Sequence, residues 1–271
     1  MAEANSKTVV VTGSTRGIGL GIVKSLIALG CNAVITGPTQ AACDAACKAV
    51  ADTQQRADQV IGVACDVREE KQVQALWDRA IDAFGKVDVW INNAGLALTG
   101  PVLSDLPSDE FRKMLEINLL GAMHGSKVAF NGMKACGGAI YNVLGAGWQG
   151  EIVPNMIGYA TSKSGLTYMT RAFAAEAAGS GVLVNGIAPG VVITEGFLRE
   201  QAKSDAGLSP ERAAVLNIIG DHTETIGDWI AELSVTNTQT GELFNWLTPE
   251  RIAERKAMVP SRGVLSRYAL V

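Results

Sequence analysis

The chain has 271 residues, a formal net charge of −4 and 18% charged side chains. That length suits one α/β domain with a large core. The acidic balance and the lack of a basic cluster argue against nucleic acid as a partner. No apolar run is long and uninterrupted enough to span a membrane.

Taken in chain order, the first strand-like run is Thr8–Thr12, so no signal or transit segment is expected in this chain. It leads into Gly13-Ser14-Thr15-Arg16-Gly17-Ile18-Gly19, and then into an amphipathic helical run from Leu20 to Leu29. Strand, tight glycine turn and helix make a dinucleotide-binding arrangement. Gly13 permits the turn, Gly17 lets the backbone approach a pyrophosphate, and Gly19 lets the helix pack on the strand. The helix N-terminus then offers N–H groups and a positive dipole end to phosphate. Further strand-like runs fall at Ala33–Thr36, Val60–Ala64, Val87–Ile91, Ala139–Val143 and Val182–Ile187, with helical stretches between them. This alternation implies a parallel sheet covered by helices on both faces. No repeat, linker or second domain is evident.

Tyr159 and Lys163 stand four residues apart in Gly158-Tyr159-Ala160-Thr161-Ser162-Lys163. One helical turn puts both side chains on one face. A phenol has a pKa of about 10, and a nearby ammonium group lowers it by stabilising the phenolate. Such a phenol can give a proton to a carbonyl oxygen or take one from an alcohol. The five cysteines, Cys31, Cys43, Cys47, Cys65 and Cys136, read as free thiols of a reducing compartment. With only His124 and His222 to add to them, no metal site is expected.

Six motifs in order resemble the short-chain dehydrogenase/reductase family from about Lys7 to about Thr194. They are the Thr12–Gly19 glycine loop, Cys65-Asp66-Val67, Asn92-Asn93-Ala94-Gly95, Asn118, the Tyr159/Lys163 pair, and Pro189-Gly190 with Thr194. The resemblance implies a single-domain, Rossmann-like, doubly wound parallel sheet over residues 1–271. Residues 7–194 would be the cofactor-binding and catalytic core, 195–240 the substrate segment and 241–271 a C-terminal segment. It also implies that Asp66 contacts the adenine, with Val67 beside it. Asn93, Ala94, Gly95, Pro189, Gly190 and Thr194 would lie near the nicotinamide, Tyr159 and Lys163 would be catalytic, and Asn118 would support a water relay. Relatives pair through helices around Leu115–Phe130 and Tyr159–Ala178, so a homodimer or homotetramer is expected.

The end of the second strand bears on the cofactor. It runs into Gly37-Pro38-Thr39-Gln40 and carries no acidic residue to bind the ribose hydroxyls of NAD or repel the extra phosphate of NADP. Arg16 resembles the basic residue that NADP-using relatives place near that phosphate, whereas Pro38 stands where they often carry an Arg. NADP(H) is favoured over NAD(H) on charge complementarity. Thr39 either hydrogen-bonds a phosphate or caps the next helix.

One departure from the family is clear. Its mechanism uses a serine about thirteen residues before the tyrosine, and the count lands on Ala146. No serine or threonine occurs between Ile140 and Met156. Candidate replacements are backbone N–H groups of Gly145 to Gly147, the Trp148 indole and the Gln149 amide. Asn142 with Gly145-Ala146-Gly147 is similar to the N-x-x-G-A-G segment of the chlorophyll b reductase branch. Pro189–Glu195 and Phe244–Ile252 resemble two further segments of that branch. It reduces a formyl group of a tetrapyrrole with NADPH, giving 7-hydroxymethyl chlorophyll. The expected substrate is therefore a bulky apolar carbonyl compound. Phe197, Leu198, Leu216, Ile218, Ile219, Trp229 and Ile230 are candidates to line its pocket, and Trp148 and Trp246 to stack on it. A steroid, sugar or aromatic alcohol, or a non-catalytic role in cofactor-dependent regulation, stay open. The expected location is the cytoplasm, or the plastid stroma if a leader has been removed.

Overall fold

The computed structural model describes residues 7–54, 56–202, 208–258 and 262–268. The first half contains β1 (Thr8–Val11), α1 (Gly17–Ala28), β2 (Asn32–Gly37), α2 (Gln40–Gln54), β3 (Val60–Ala64), α3 (Glu70–Phe84) and β4 (Val89–Asn92). Then come α4 (Ser108–Leu115), a π-helical turn at Glu116–Leu120, α5 (Gly121–Met133), β5 (Gly138–Val143), α6 (Ile157–Glu176) and β6 (Val182–Ala188). The last part holds β7 (Val191–Ile193), α7 (Glu195–Ala202), α8 (Pro210–Ile219), β8 (Gly220–His222), α9 (Thr223–Thr236), β9 (Leu243–Asn245) and α10 (Pro249–Met258).

The central sheet has seven parallel strands in the order β3-β2-β1-β4-β5-β6-β9. Its β-branched strands are buried on both faces, and alternate residues serve different layers. Val9 and Val11 join Ile22, Leu26, Ile226 and Ile230 on the α1/α9 side. Val10 joins Leu76, Trp77, Trp90 and Met133 on the other side. Small residues set how closely the layers meet. A β-carbon on Gly227 would lie 2.5 Å from Gly21, so α1 and α9 touch backbone to backbone, and one on Gly132 would overlap the Trp77 ring.

Chain order reverses direction between β1 and β4, which opens a crevice at their carboxyl ends. The six expected strands are present, with the fourth shifted to Val89–Asn92. The seventh, β9, comes from the stretch expected to be a C-terminal segment outside the core. Three residues are too few to show an alternating pattern. Pairing of Leu243, Phe244 and Asn245 with Gly186, Ile187 and Ala188 nevertheless makes them the edge of the core sheet. β7 and β8 form a small parallel pair of their own.

Candidate active site

The β1–α1 turn is held by side chains from β4. Gly13 has φ +63°, and a β-carbon there would lie 2.7 Å from the Ala94 Cα. Thr12 Oγ1 accepts from the backbone N–H groups of Asn93 and Ala94, both at 3.0 Å. Asn93 Nδ2 donates to Thr12 O and Gly13 O. Asn93 therefore shapes the turn with its amide, and a β-carbon on Gly19 would lie 2.5 Å from that amide. Ser14 Oγ donates to Val11 O at 2.6 Å and accepts from Thr36 N at 3.0 Å, tying the turn to β2. No side chain caps α1, whose N-cap is the exposed Arg16. An uncapped helix N-terminus behind a glycine turn fits a pyrophosphate. Ile18 packs with its side chain on the core.

The ribose end agrees with this fit. A β-carbon on Gly37 would lie 2.7 Å from Thr15 Cγ2, so the turn itself fills the place an acidic side chain would need. Thr39 caps α2, accepting from Ala42 N at 3.4 Å. Asp66 is engaged by Arg68 through both carboxylate oxygens, at 2.5–3.0 Å. The Arg68 hydrogen bond holds the Asp66 carboxyl below its usual range. Val67 is buried, and its carbonyl lies 3.0 Å from His124 Nδ1. On the opposite lip, Gly190 has φ +75° and abuts Leu247. Thr194 faces Gly17 and accepts from Phe197 N at 3.1 Å, starting α7.

Asn118, Tyr159 and Lys163 converge at the carboxyl ends of β4 and β5. Asn118 sits in the π-helical turn. Its Oδ1 accepts from Leu96 N at 2.7 Å, and its Nδ2 donates to Leu96 O and to Ser162 Oγ, both at 2.9 Å. Ser162 Oγ in turn donates to Tyr159 O. This chain fastens the loop after β4 to α6. Lys163 is buried, donates to Val143 O at 2.7 Å, and lies 5.7 Å from the Tyr159 ring centroid. The Tyr159 side chain as a whole is half-buried, with its hydroxyl deep against Gly145. Burial pushes the phenol up to about 12 and the Lys163 ammonium down to about 8. Lysine was expected to lower the phenol pKa. In this pocket desolvation is the cause of the shift, and it raises the phenol pKa.

The serine-free loop is ordered by other means. A β-carbon on Gly145 would overlap the Tyr159 hydroxyl and lie 2.9 Å from Cζ. The position beside the Tyr159 hydroxyl is thus Gly145. The count of thirteen residues lands on the neighbouring Ala146. One of the suggested replacement donors, the Gly147 N–H, is already used. Glu151 accepts from Gly147 N at 2.6 Å and from Gln149 N at 2.9 Å. Ser164 Oγ donates to Gly147 O, and a β-carbon on Gly147 would lie 2.6 Å from Ala160 Cβ.

Comparison with known proteins rests on the same segments. Residues 7–205 match the profile of the short chain dehydrogenase family. The chain belongs to that family. It is 31% identical over 236 residues to 3beta-hydroxysteroid dehydrogenase 1 of Eggerthella lenta, covering 84% of this chain and 88% of that one. It is 33% identical over 226 residues to the chloroplastic chlorophyll(ide) b reductase NOL of Oryza sativa, covering 79% of this chain and 64% of the rice protein. Its fold resembles that of ElxO solved with NADP bound, with a TM-score of 0.80 at 24% identity over 89% of this chain and 96% of that one. The protein is accordingly an NAD(P)-dependent oxidoreductase of the CH–OH/carbonyl class.

Several substrate-side expectations for this short-chain dehydrogenase need correction. Ile230 is fully buried under the sheet, and Leu216 is buried in a small cluster with Ile193 and Leu265. Trp229 packs on Trp246 at 5.1 Å. Trp246 has no free face for a substrate: its Nε1 donates to Asp221 at 2.6 Å, and the Arg251 guanidinium lies 3.6 Å over its ring. Apolar residues at helical spacing read alike whether they pack inward or line a pocket. Glu151 escaped notice because it stands in no motif; a lone carboxylate after a glycine-rich loop is no signal by itself. Among the described residues, no group of three or more His, Cys, Asp or Glu side chains forms a metal site, and no helix is long and apolar enough to cross a membrane.

Proposed function

We propose that this short-chain dehydrogenase uses NADPH to reduce a formyl group on a bulky apolar substrate, with a chlorophyll b-like tetrapyrrole as the reference substrate and its 7-hydroxymethyl derivative as product. The observation that carries the chemistry is the Tyr159 hydroxyl at the carboxyl end of β5, one turn from buried Lys163 and across the crevice from the glycine turn. Bound NADPH supplies the hydride to the carbonyl carbon. A neutral phenol at physiological pH has its proton in place, so Tyr159 protonates the carbonyl oxygen. Lys163 then stabilises the phenolate and holds the nicotinamide ribose with N–H groups not given to Val143. The Asn118 carboxamide is used by Leu96 and Ser162, so a water relay at this residue would run through its main chain. Gly13 to Gly19 hold the pyrophosphate, and Arg16 with Gly37 favours the 2′-phosphate of NADP(H) over the bare ribose of NAD(H). Asp66 with Val67 would flank the adenine, and Asn93, Ala94, Gly95, Pro189, Gly190 and Thr194 the nicotinamide.

Exposed apolar side chains support a large apolar substrate. Val102, Leu103 and Ile152 are exposed on loops joined by the Gly100 N–H to Asn155 O bond of 2.9 Å. The chlorophyll b reductase resemblance and the absence of a side chain at Gly145 point to the tetrapyrrole. A steroid ketone is the second reading, favoured by the fuller length match to the Eggerthella lenta enzyme. Pairing through α5 and α6 into a homodimer or homotetramer, in the cytoplasm or plastid stroma, completes the proposal. The test is product identification after incubating the protein and NADPH with chlorophyll b and with a 3-ketosteroid. Reduction of the steroid alone would transfer the assignment to the second reading.

A further inference from the structure

Asp221 is a buried carboxylate that no step of the chemistry uses. Its oxygens accept from Arg255 at 2.8 and 3.0 Å, from Arg262 at 2.9 Å and from the Trp246 indole at 2.6 Å. The two arginines reach further. Arg262 donates to the carbonyls of Asn217, Ile218 and Gly220 at 2.6–3.0 Å, and Arg255 to Ile218 at 3.4 Å. These carbonyls end α8, so cations close the negative end of that helix. Next to this cluster lies a hydrophobic patch separate from the two main layers, in which Ile193, Ala213 and Leu216 pack on Val264 and Leu265. Tyr268 adds a second fastening: its hydroxyl lies 3.0 Å from His222 Nδ1 and donates to Ile193 O at 3.4 Å.

The contacts of Arg262, Val264, Leu265 and Tyr268 join residues 262–268 to the segment that follows β6, and Trp246 and Arg255 brace the same carboxylate from β9's end and α10. We infer that Asp221, Arg262 and Tyr268 are positioning residues: they lock residues 262–268 onto α8 and β7, and so set where Phe197 and Leu198, which pack on the same patch, stand against the crevice. A buried carboxylate held by two guanidinium groups and an indole favours one geometry, since losing Arg262 removes one of its two charge-assisted partners and frees the α8 carbonyls it closes. The effect on substrate rests on the proposed carbonyl reductase function. The clamp itself does not.

Arg262→Gln and Tyr268→Phe in the full-length protein test the inference, the second because it removes one hydroxyl with little risk to folding. Amide hydrogen exchange at Ala213–Ile219 should accelerate while β1 and β4 stay protected. KM for the carbonyl substrate should rise about tenfold, as expected when a binding wall is misplaced, with kcat and NADPH affinity within about twofold of the unaltered protein. Unchanged exchange at α8 in both variants would overturn the clamp, and faster exchange with unchanged KM would overturn its role in positioning. A wild-type protein that reduces no carbonyl would sink the underlying function instead, with the exchange result still deciding the clamp.

Discussion

The hydroxyl of Tyr159 occupies the space that a side chain at Gly145 would fill. This relationship makes the missing serine a geometric requirement of the site as it stands. Installing Gly145→Ser therefore does not restore a family triad. The new β-carbon would displace the phenol from its seat, and a displacement near 1 Å costs about 10²-fold in rate. We expect kcat for carbonyl reduction to fall by about that factor, with NADPH affinity little changed. A rise in kcat would show that the phenol has room to spare.

The proposed preference for NADPH turns on the ribose end. Arg16 is the exposed cation at the start of α1, and Gly37 offers no carboxylate. Arg16→Ala should raise KM for NADPH by about tenfold, the scale of one charge-assisted contact, and leave KM for NADH unchanged. Steady-state titration of both cofactors decides this. Gly37→Asp should weaken both cofactors, because its β-carbon meets Thr15 before it can reach a ribose.

Stability should respond to pH through Lys163. Its folded pKa of about 8 lies below the ordinary value of 10.5, so the unfolded chain binds more protons between those limits. Stability from this residue therefore rises with pH from about 8 to 10.5. Tyr159 acts in the opposite sense. Its folded pKa of about 12 exceeds the ordinary 10.0, so the folded state binds the extra proton and its contribution is lost from about 10 to 12. Urea midpoints from pH 7 upward should show the Lys163 rise in the wild type and not in Lys163→Met. Parallel curves for the two proteins would contradict the assignment.

The Glu151 carboxylate replaces local side-chain bracing in the loop beside the phenol. Glu151→Ala strands the Gly147 and Gln149 amides and should cost about 1 kcal/mol of stability, as expected for a partly solvated charge-assisted pair. It should also lower kcat more than it raises KM, because the loop carries Gly145. Thermal melts with paired kinetics check both. A stability loss with unaltered kcat would confine Glu151 to the fold.

Much of this was legible in the sequence, for reasons specific to particular residues. The Gly13–Gly19 turn and the β-branched strands announce themselves because backbone conformation and two-sided burial demand those residue types. Tyr159 and Lys163 stand one helical turn apart, which spacing reveals directly. What spacing does not reveal is set by distant contacts. β9 exists because Leu243–Asn245 finds the free edge of β6. Trp246, equally apolar on paper whether it faces a substrate or a salt bridge, is claimed by Asp221 and Arg251. The raised phenol pKa of Tyr159 depends on depth of burial, which no motif encodes.

The most direct measurement is NADPH oxidation with chlorophyll b, a 3-ketosteroid and simple aromatic aldehydes, run on the wild type and on Tyr159→Phe with direct binding of NADPH to both. Loss of the phenol proton donor should lower kcat by about 10²–10⁴-fold while NADPH binds as before. Turnover by Tyr159→Phe near the wild-type rate would contradict proton donation by Tyr159, and with it the account of this active site.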